Sequence, residues 1–186
     1  MGARRGAWRH GRPVRRVRLV RPTAGDPQTL LVGDLTALPA IGRILEELPA
    51  TMHAHVIAEA VGSADEQQFT SPATSSTEWL RGTGNGLGPS ILGDAIREHP
   101  DFEYVWFAGE AAVARDVRKW LRHELGRTPE SYHVMGYWRD DKEAWTARYE
   151  KVRTHIETVA DRAIAEGNGL ESVRDAVDAA MEQAGL

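Results

Sequence analysis

The sequence predicts an α/β fold, a doubly wound, mostly parallel five-stranded sheet with a C-terminal helical extension. Three observations predict it. From residue 28 onward, short apolar runs alternate with amphipathic stretches of helical period. Two strand-to-helix junctions, at Gly33-Asp34 and Ala108-Gly109, are tight turns of small residues. Beyond residue 141 the alternation gives way to two consecutive helical patterns.

The first strand is read over Gln28 to Val32, entering the turn Gly33-Asp34-Leu35-Thr36-Ala37. A helix follows from about Pro39 to Leu48, because Ile41, Ile44, Leu45 and Leu48 recur at three-to-four spacing. Pro39 suits its first turn and Pro49 ends it. His53 to Val61 reads as the second strand and Glu78 to Arg81 as the third, with a polar, exposed Ser/Thr-rich loop between them. A glycine-rich turn, Thr83 to Gly88, leads to a helix from about Pro89 to His99, which Pro100 stops. The fourth strand, Glu103 to Phe107, runs into Ala108-Gly109-Glu110. One long helix is then expected, with Val113, Val117, Trp120, Leu121 and Leu125 on a single stripe and Gly126 as its cap. A fifth strand lies near Tyr132 to Tyr137. Residues 142–166 and 169–184 read as a helical hairpin broken at Gly167-Asn168-Gly169. The division is therefore a basic arm over 1–27, an α/β domain over 28–141 and a helical hairpin over 142–186.

Composition narrows the function classes. No cysteine is present among the 186 residues, which excludes disulfides, thiolate-bound iron–sulfur clusters and cysteine nucleophiles, so redox chemistry requires a bound cofactor. There is no apolar run long enough to cross a bilayer and no signal-peptide core, so a cytoplasmic protein without membrane insertion is expected. Eight arginines precede the first acid, Asp26, and the remaining 15 basic residues face all 27 acidic ones, giving an arm of +8 on a body of −12. The arm reads as a mobile tail, and nucleic acid is not the expected partner.

Gly33-Asp34-x-Thr36 places backbone amides and a helix amino terminus at the carboxyl edge of a parallel sheet, where nucleotides bind. It is not a G-x-G-x-x-G fingerprint, and on spacing alone Asp34 or Thr36 is a helix cap. Ala108-Gly109-Glu110 repeats the arrangement, with small residues that let a flat ring approach, and Glu110 is equally a carboxylate at a helix start. His53 and His55 share a strand face and read as a surface pair; no intrinsic metal is expected. Trp106 and Trp120 read as core.

The stretches Leu30 to Ile41, Val105 to Ala111 and Gly136-Tyr137-Trp138-Arg139 together resemble the three signature segments of siderophore-interacting proteins, in order and at compatible spacing. The resemblance covers about residues 28–145. It implies the carboxyl-terminal, NADPH- or NADH-binding domain of a ferredoxin–NADP reductase-like enzyme that reduces ferric siderophores through FAD. The flavin-binding barrel that precedes this domain in the family is not matched, so FAD and a flavin-domain partner are expected to come from a separate domain or chain. By the same resemblance, Gly33, Asp34, Thr36 and Ala37 line the nicotinamide side of a cleft, and Ala108, Gly109 and Glu110 form the opposite wall. Arg81 is the candidate for an adenosine 2′-phosphate, or else a solvated charge at a strand end. Tyr137 and Trp138 face the flavin or pack the last strand, and Arg139 is placed to anchor an anionic ferric siderophore. No catalytic acid, base or nucleophile is implied, because the cofactors carry the chemistry. The competing reading is a non-catalytic, nucleotide-binding remnant or interaction module that associates through its carboxyl-terminal helices.

Overall fold

The computed structural model describes residues 28–186; the arginine-rich arm and the expectation attached to it lie outside the described residues. Five strands form the sheet: β1 (Gln28–Gly33), β2 (His53–Ala60), β3 (Thr74–Arg81), β4 (Tyr104–Glu110) and β5 (Tyr132–Trp138). Every pairing is parallel, in the order β3-β2-β1-β4-β5. Helices α1 (Leu38–Glu47), α2 (Leu92–Arg97) and α3 (Ala111–Lys119) make the crossovers, and α4 (Lys142–Ala165) and α5 (Leu170–Gln183) form the extension. The strand order reverses between β1 and β4, which places a topological switch point at the carboxyl ends of those two strands.

Alternation along β1 sorts the core into two layers, since successive strand side chains point to opposite faces. Leu31 joins Leu38, Ile41, Leu45, Val56 and Trp106 beneath α1, whereas Leu30 and Val32 join Ile57, Leu92, Ile96, Phe107 and Val117 beneath α2 and α3. Helices thus cover both faces, as an all-parallel sheet requires.

Three elements differ from the sequence expectation. β3 begins at Thr74, four residues before Glu78, because the Ser/Thr run belongs to an edge strand whose first five residues are exposed. α2 starts only at Leu92, after Ile91, whose backbone amide donates to the buried side chain of Glu59. The expected long helix stops at Lys119 and widens into a π-helical turn over Trp120–Glu124. That turn directs both Trp120 and Leu121 into the core, while Leu125, expected on the apolar stripe, is exposed.

The extension is tied to the domain by charge. Arg118 of α3, 7% exposed, pairs with Glu171, Asp175 and Asp178 of α5, and Arg122 also bonds Asp175. Burial alone would raise the Asp175 pKa, but its bonds to Arg122 and Arg118 prevail and lower it.

Candidate functional site

All five strands run the same way, so the residues after β1, β2, β3, β4 and β5 meet on one edge. At its centre lies Asp34, 2% exposed. One carboxyl oxygen accepts from the Thr36 amide at 2.9 Å and from the Thr36 hydroxyl at 2.6 Å; the other accepts from the indole Nε1 of Trp138 at 2.5 Å. The first two bonds form a local turn rather than a helix cap, and α1 begins after Ala37 with no side-chain cap. Gly33 has no room for a side chain: a Cβ there would overlap the Ala37 methyl and stand 2.8 Å from the Ala108 carbonyl oxygen. Ala37 and Ala108 are both fully buried, and their small size keeps β1, β4 and the start of α1 in contact.

Gly109 lies against Asp34, with Oδ2 3.0 Å from the position of a Cβ. Glu110, next along, caps α3, its carboxyl accepting from the amides of Ala112 at 2.6 Å and Val113 at 3.1 Å. The turn after β1 is similarly self-satisfied: the Leu35 amide donates to Asn85 Oδ1 at 3.0 Å, and the Ala37 amide to the Asp34 carbonyl at 2.9 Å. At the two turns of the switch point, the amides of Leu35, Thr36, Ala37, Ala112 and Val113 are thus bonded within the protein.

The far wall is the loop after β3. Gly82, Gly84, Asn85 and Gly86 all have positive φ, which suits a Gly-Asn-Gly run. Glu59, with 0% exposure, holds this loop by accepting from the Thr83 hydroxyl at 3.0 Å and the Ile91 amide at 2.7 Å. Asn85 and Glu59 are absent from the sequence-derived set. The glycines around Asn85 signal its left-handed backbone, but nothing local signals that Glu59, inside an apolar strand, turns inward.

The remaining predicted residues lie around the rim. Arg81 ends β3, is more than half exposed, and bonds Glu66. Tyr137 is exposed and meets Trp106 edge-on at 6.5 Å. The β4–β5 pairing shifts register here, Gly109 facing Gly136 but Glu110 facing Trp138, so Tyr137 is an extra residue beside the site. The Arg139 guanidinium stacks over the Trp145 ring at 4.2 Å. Burial, and then repulsion by Arg115, lowers its pKa. Arg139, Arg115 and Arg118 line a groove between β5 and α5 that also includes Met135, Gly136 and Met181.

Residues 26–141 match the family described as siderophore-interacting protein. The chain belongs to that family. The ferric vibriobactin reductase ViuB of Vibrio cholerae is 28% identical over 135 residues, covering 67% of this chain and 49% of ViuB. Uncharacterized protein Rv2895c of Mycobacterium tuberculosis is 32% identical over 135 residues, covering 62% of this chain and 47% of that protein. The siderophore-interacting protein SipS from Aeromonas hydrophila aligns with a TM-score of 0.54 and 28% identity, over 64% of this chain and 54% of SipS. A siderophore utilization protein from T. fusca aligns with a TM-score of 0.53 and 28% identity, over 64% of this chain and 48% of its own. The chain thus spans about half the length of the curated relatives it matches. Among the described residues, no helix is long and apolar enough to cross a membrane.

Proposed function

We propose that the α/β domain binds NADPH or NADH along its carboxyl edge and serves the flavin-mediated reduction of ferric siderophores. The observation that carries this reading is the Gly33–Asp34 turn facing Gly109–Glu110 across the switch point of a parallel sheet. The residues present fit a nicotinamide better than a phosphate at this point. Gly33, Ala37, Ala108 and Gly109 are buried small residues that pack β1, β4 and α1 closely and put no bulky side chain at this edge, while Asp34, Glu110 and Asn85 already bond the amides of Thr36, Ala112, Val113 and Leu35 that a phosphate could otherwise use.

With those amides engaged, side chains are the stronger candidates to hold the phosphates. Arg81 is the rim cation at the end of β3, and a guanidinium can hold an adenosine 2′-phosphate through paired hydrogen bonds once it exchanges Glu66 for that ligand. Thr36, exposed beside Asp34, is placed to orient the carboxamide. Trp138, fixed by Asp34, and Tyr137 form an aromatic rim toward an incoming flavin, and Arg139 and Arg115 give the adjoining groove the positive charge that an anionic ferric siderophore requires. When bound, the reduced nicotinamide supplies a hydride to FAD, whose electrons reduce the siderophore iron and weaken its chelation. This domain's part is to position the dinucleotide, with FAD supplied from outside the matched residues by a flavin domain.

The test is a titration of the purified protein with NADPH and with NADH, followed by tryptophan fluorescence. Saturable quenching that is lost in Asp34→Ala supports the reading, with unfolding monitored separately for that variant. The absence of saturation with either nucleotide removes it and leaves the interaction-module reading. Restored NAD(P)H-driven reduction of a ferric siderophore on mixing with a flavin-domain protein of the family extends binding to activity.

A further inference from the structure

On the face of the sheet beneath α2, well away from the nucleotide edge, His55 of β2, Glu78 of β3 and His99 just beyond α2 each present one ligand atom, all within 4.8 Å of one another. His55 precedes the end of β2 by five residues, roughly 16 Å along the strand. The sequence pairs His53 with His55; the fold instead groups His55 with a carboxylate from the edge strand and a histidine from the α2–β4 connection.

The state of His55 points to a missing partner. Its Nδ1 lies 2.8 Å from the Ser76 hydroxyl, whereas its Nε2 is buried with no hydrogen-bond partner and stands 3.7 Å from Glu78 Oε2, too far for a hydrogen bond. If Ser76 accepts the Nδ1 proton, the Nε2 lone pair is directed at a carboxylate, leaving two electron-rich groups facing each other. A cation between them resolves the conflict. Ser76 then acts as the outer hydrogen-bond partner that fixes the tautomer of a metal-bound imidazole. Phe102 packs against both rings, at 6.2 Å from His55 and 5.8 Å from His99, and restricts their rotation. Metal–ligand bonds of about 2.0–2.2 Å require only modest closure from the observed separations, and the half-exposed Glu78 side chain is free to supply it. The adjoining groove, lined by His53, His55, Ser75, Ser76 and His99, leaves room for water or a further ligand.

We propose that His55, Glu78 and His99 form a binding site for a divalent first-row transition metal ion. Two imidazoles and one carboxylate suit zinc, iron(II) or cobalt(II) and disfavour magnesium and calcium, which take all-oxygen sets. The site is separate from the nucleotide edge and does not depend on the function proposed for it.

Equilibrium dialysis of the untagged, chelator-stripped protein against zinc at pH 7.5 tests this. The expected result is one zinc per chain, with affinity at least tenfold weaker in His55→Ala, His99→Ala and Glu78→Gln, and unchanged in His155→Ala on α4. Zinc should also raise the unfolding temperature of the wild type but not of His99→Ala or Glu78→Gln, both of which are judged by their own melting curves if His55→Ala does not fold. No saturable uptake, or uptake equal in the wild type and the three variants, overturns the proposal.

Discussion

The indole of Trp138 donates to the carboxyl of Asp34 at 2.5 Å, joining two residues 104 positions apart across the switch point of the sheet. This bond closes the site from the β5 side and leaves no free oxygen on a nearly buried side chain. Trp138→Phe keeps an aromatic ring but removes the indole N–H, orphaning that oxygen, and a buried acceptor without its donor costs about 1–3 kcal/mol. Urea unfolding should register a loss of that size, and an unchanged midpoint would show that solvent replaces the bond.

Gly33→Ala tests the contact between β1, β4 and α1. The added methyl meets the Ala37 methyl and the Ala108 carbonyl, neither of which can yield without moving backbone. A loss of about 1–3 kcal/mol is expected, together with weaker nucleotide binding. Gly88→Ala, with nothing within 4 Å of the new Cβ, serves as the neutral control.

Arg81 and Glu66 should respond in opposite directions. Arg81→Ala should weaken NADPH binding by roughly tenfold, the scale of one charge-assisted bond, with little effect on NADH. Glu66→Ala frees the guanidinium and should tighten NADPH binding. Equal affinities for the two nucleotides in all three proteins would remove Arg81 from the phosphate site.

Arg118→Met leaves Glu171, Asp175 and Asp178 without their shared buried cation. Asp175 keeps Arg122, Glu171 keeps Arg174 and all three acids are partly exposed, so the loss should fall below about 3–5 kcal/mol, the cost of breaking a fully buried pair. Amide exchange should show α5 losing protection ahead of the sheet, whereas uniform loss would mean that α5 and the sheet unfold together.

Acid should destabilise the fold before its carboxyls protonate. Burial, then His99, lowers the pKa of His55, and burial, then Arg174, lowers that of His133, both below the ordinary 6.5. The unfolded chain therefore binds these protons first, so stability is complete above pH 6.5 and falls as the pH drops below it. Melting temperatures measured from pH 8 to pH 5 in metal-free buffer should decline only below that value, and His133→Gln should reduce the slope.

Part of the candidate site's geometry is legible in the sequence because it depends on local chain geometry. Gly33, Asp34, Gly109 and Glu110 stand at strand-to-helix junctions that alternating apolar runs reveal directly. The long-range partners were not legible. That Trp138 would reach Asp34 depends on a register shift at Tyr137, and that Glu59 would turn inward depends on a loop 24 residues further on. The Ser/Thr stretch of β3 reads as loop in the sequence because an edge strand facing solvent has no apolar alternation to show. The π-helical turn at Trp120 leaves no signal in the sequence, because helical periodicity carries no mark of one inserted residue.

Glu59 gives the loop after β3 a further property. Its bonds to Thr83 and Ile91, with Asn85 fastened to Leu35, hold four left-handed residues in place through the chain's own groups. A molecule arriving at this edge finds its wall already built and does not pay to order it. Association should then proceed in a single kinetic phase whose rate rises linearly with ligand concentration, with selectivity expressed in how long the ligand stays.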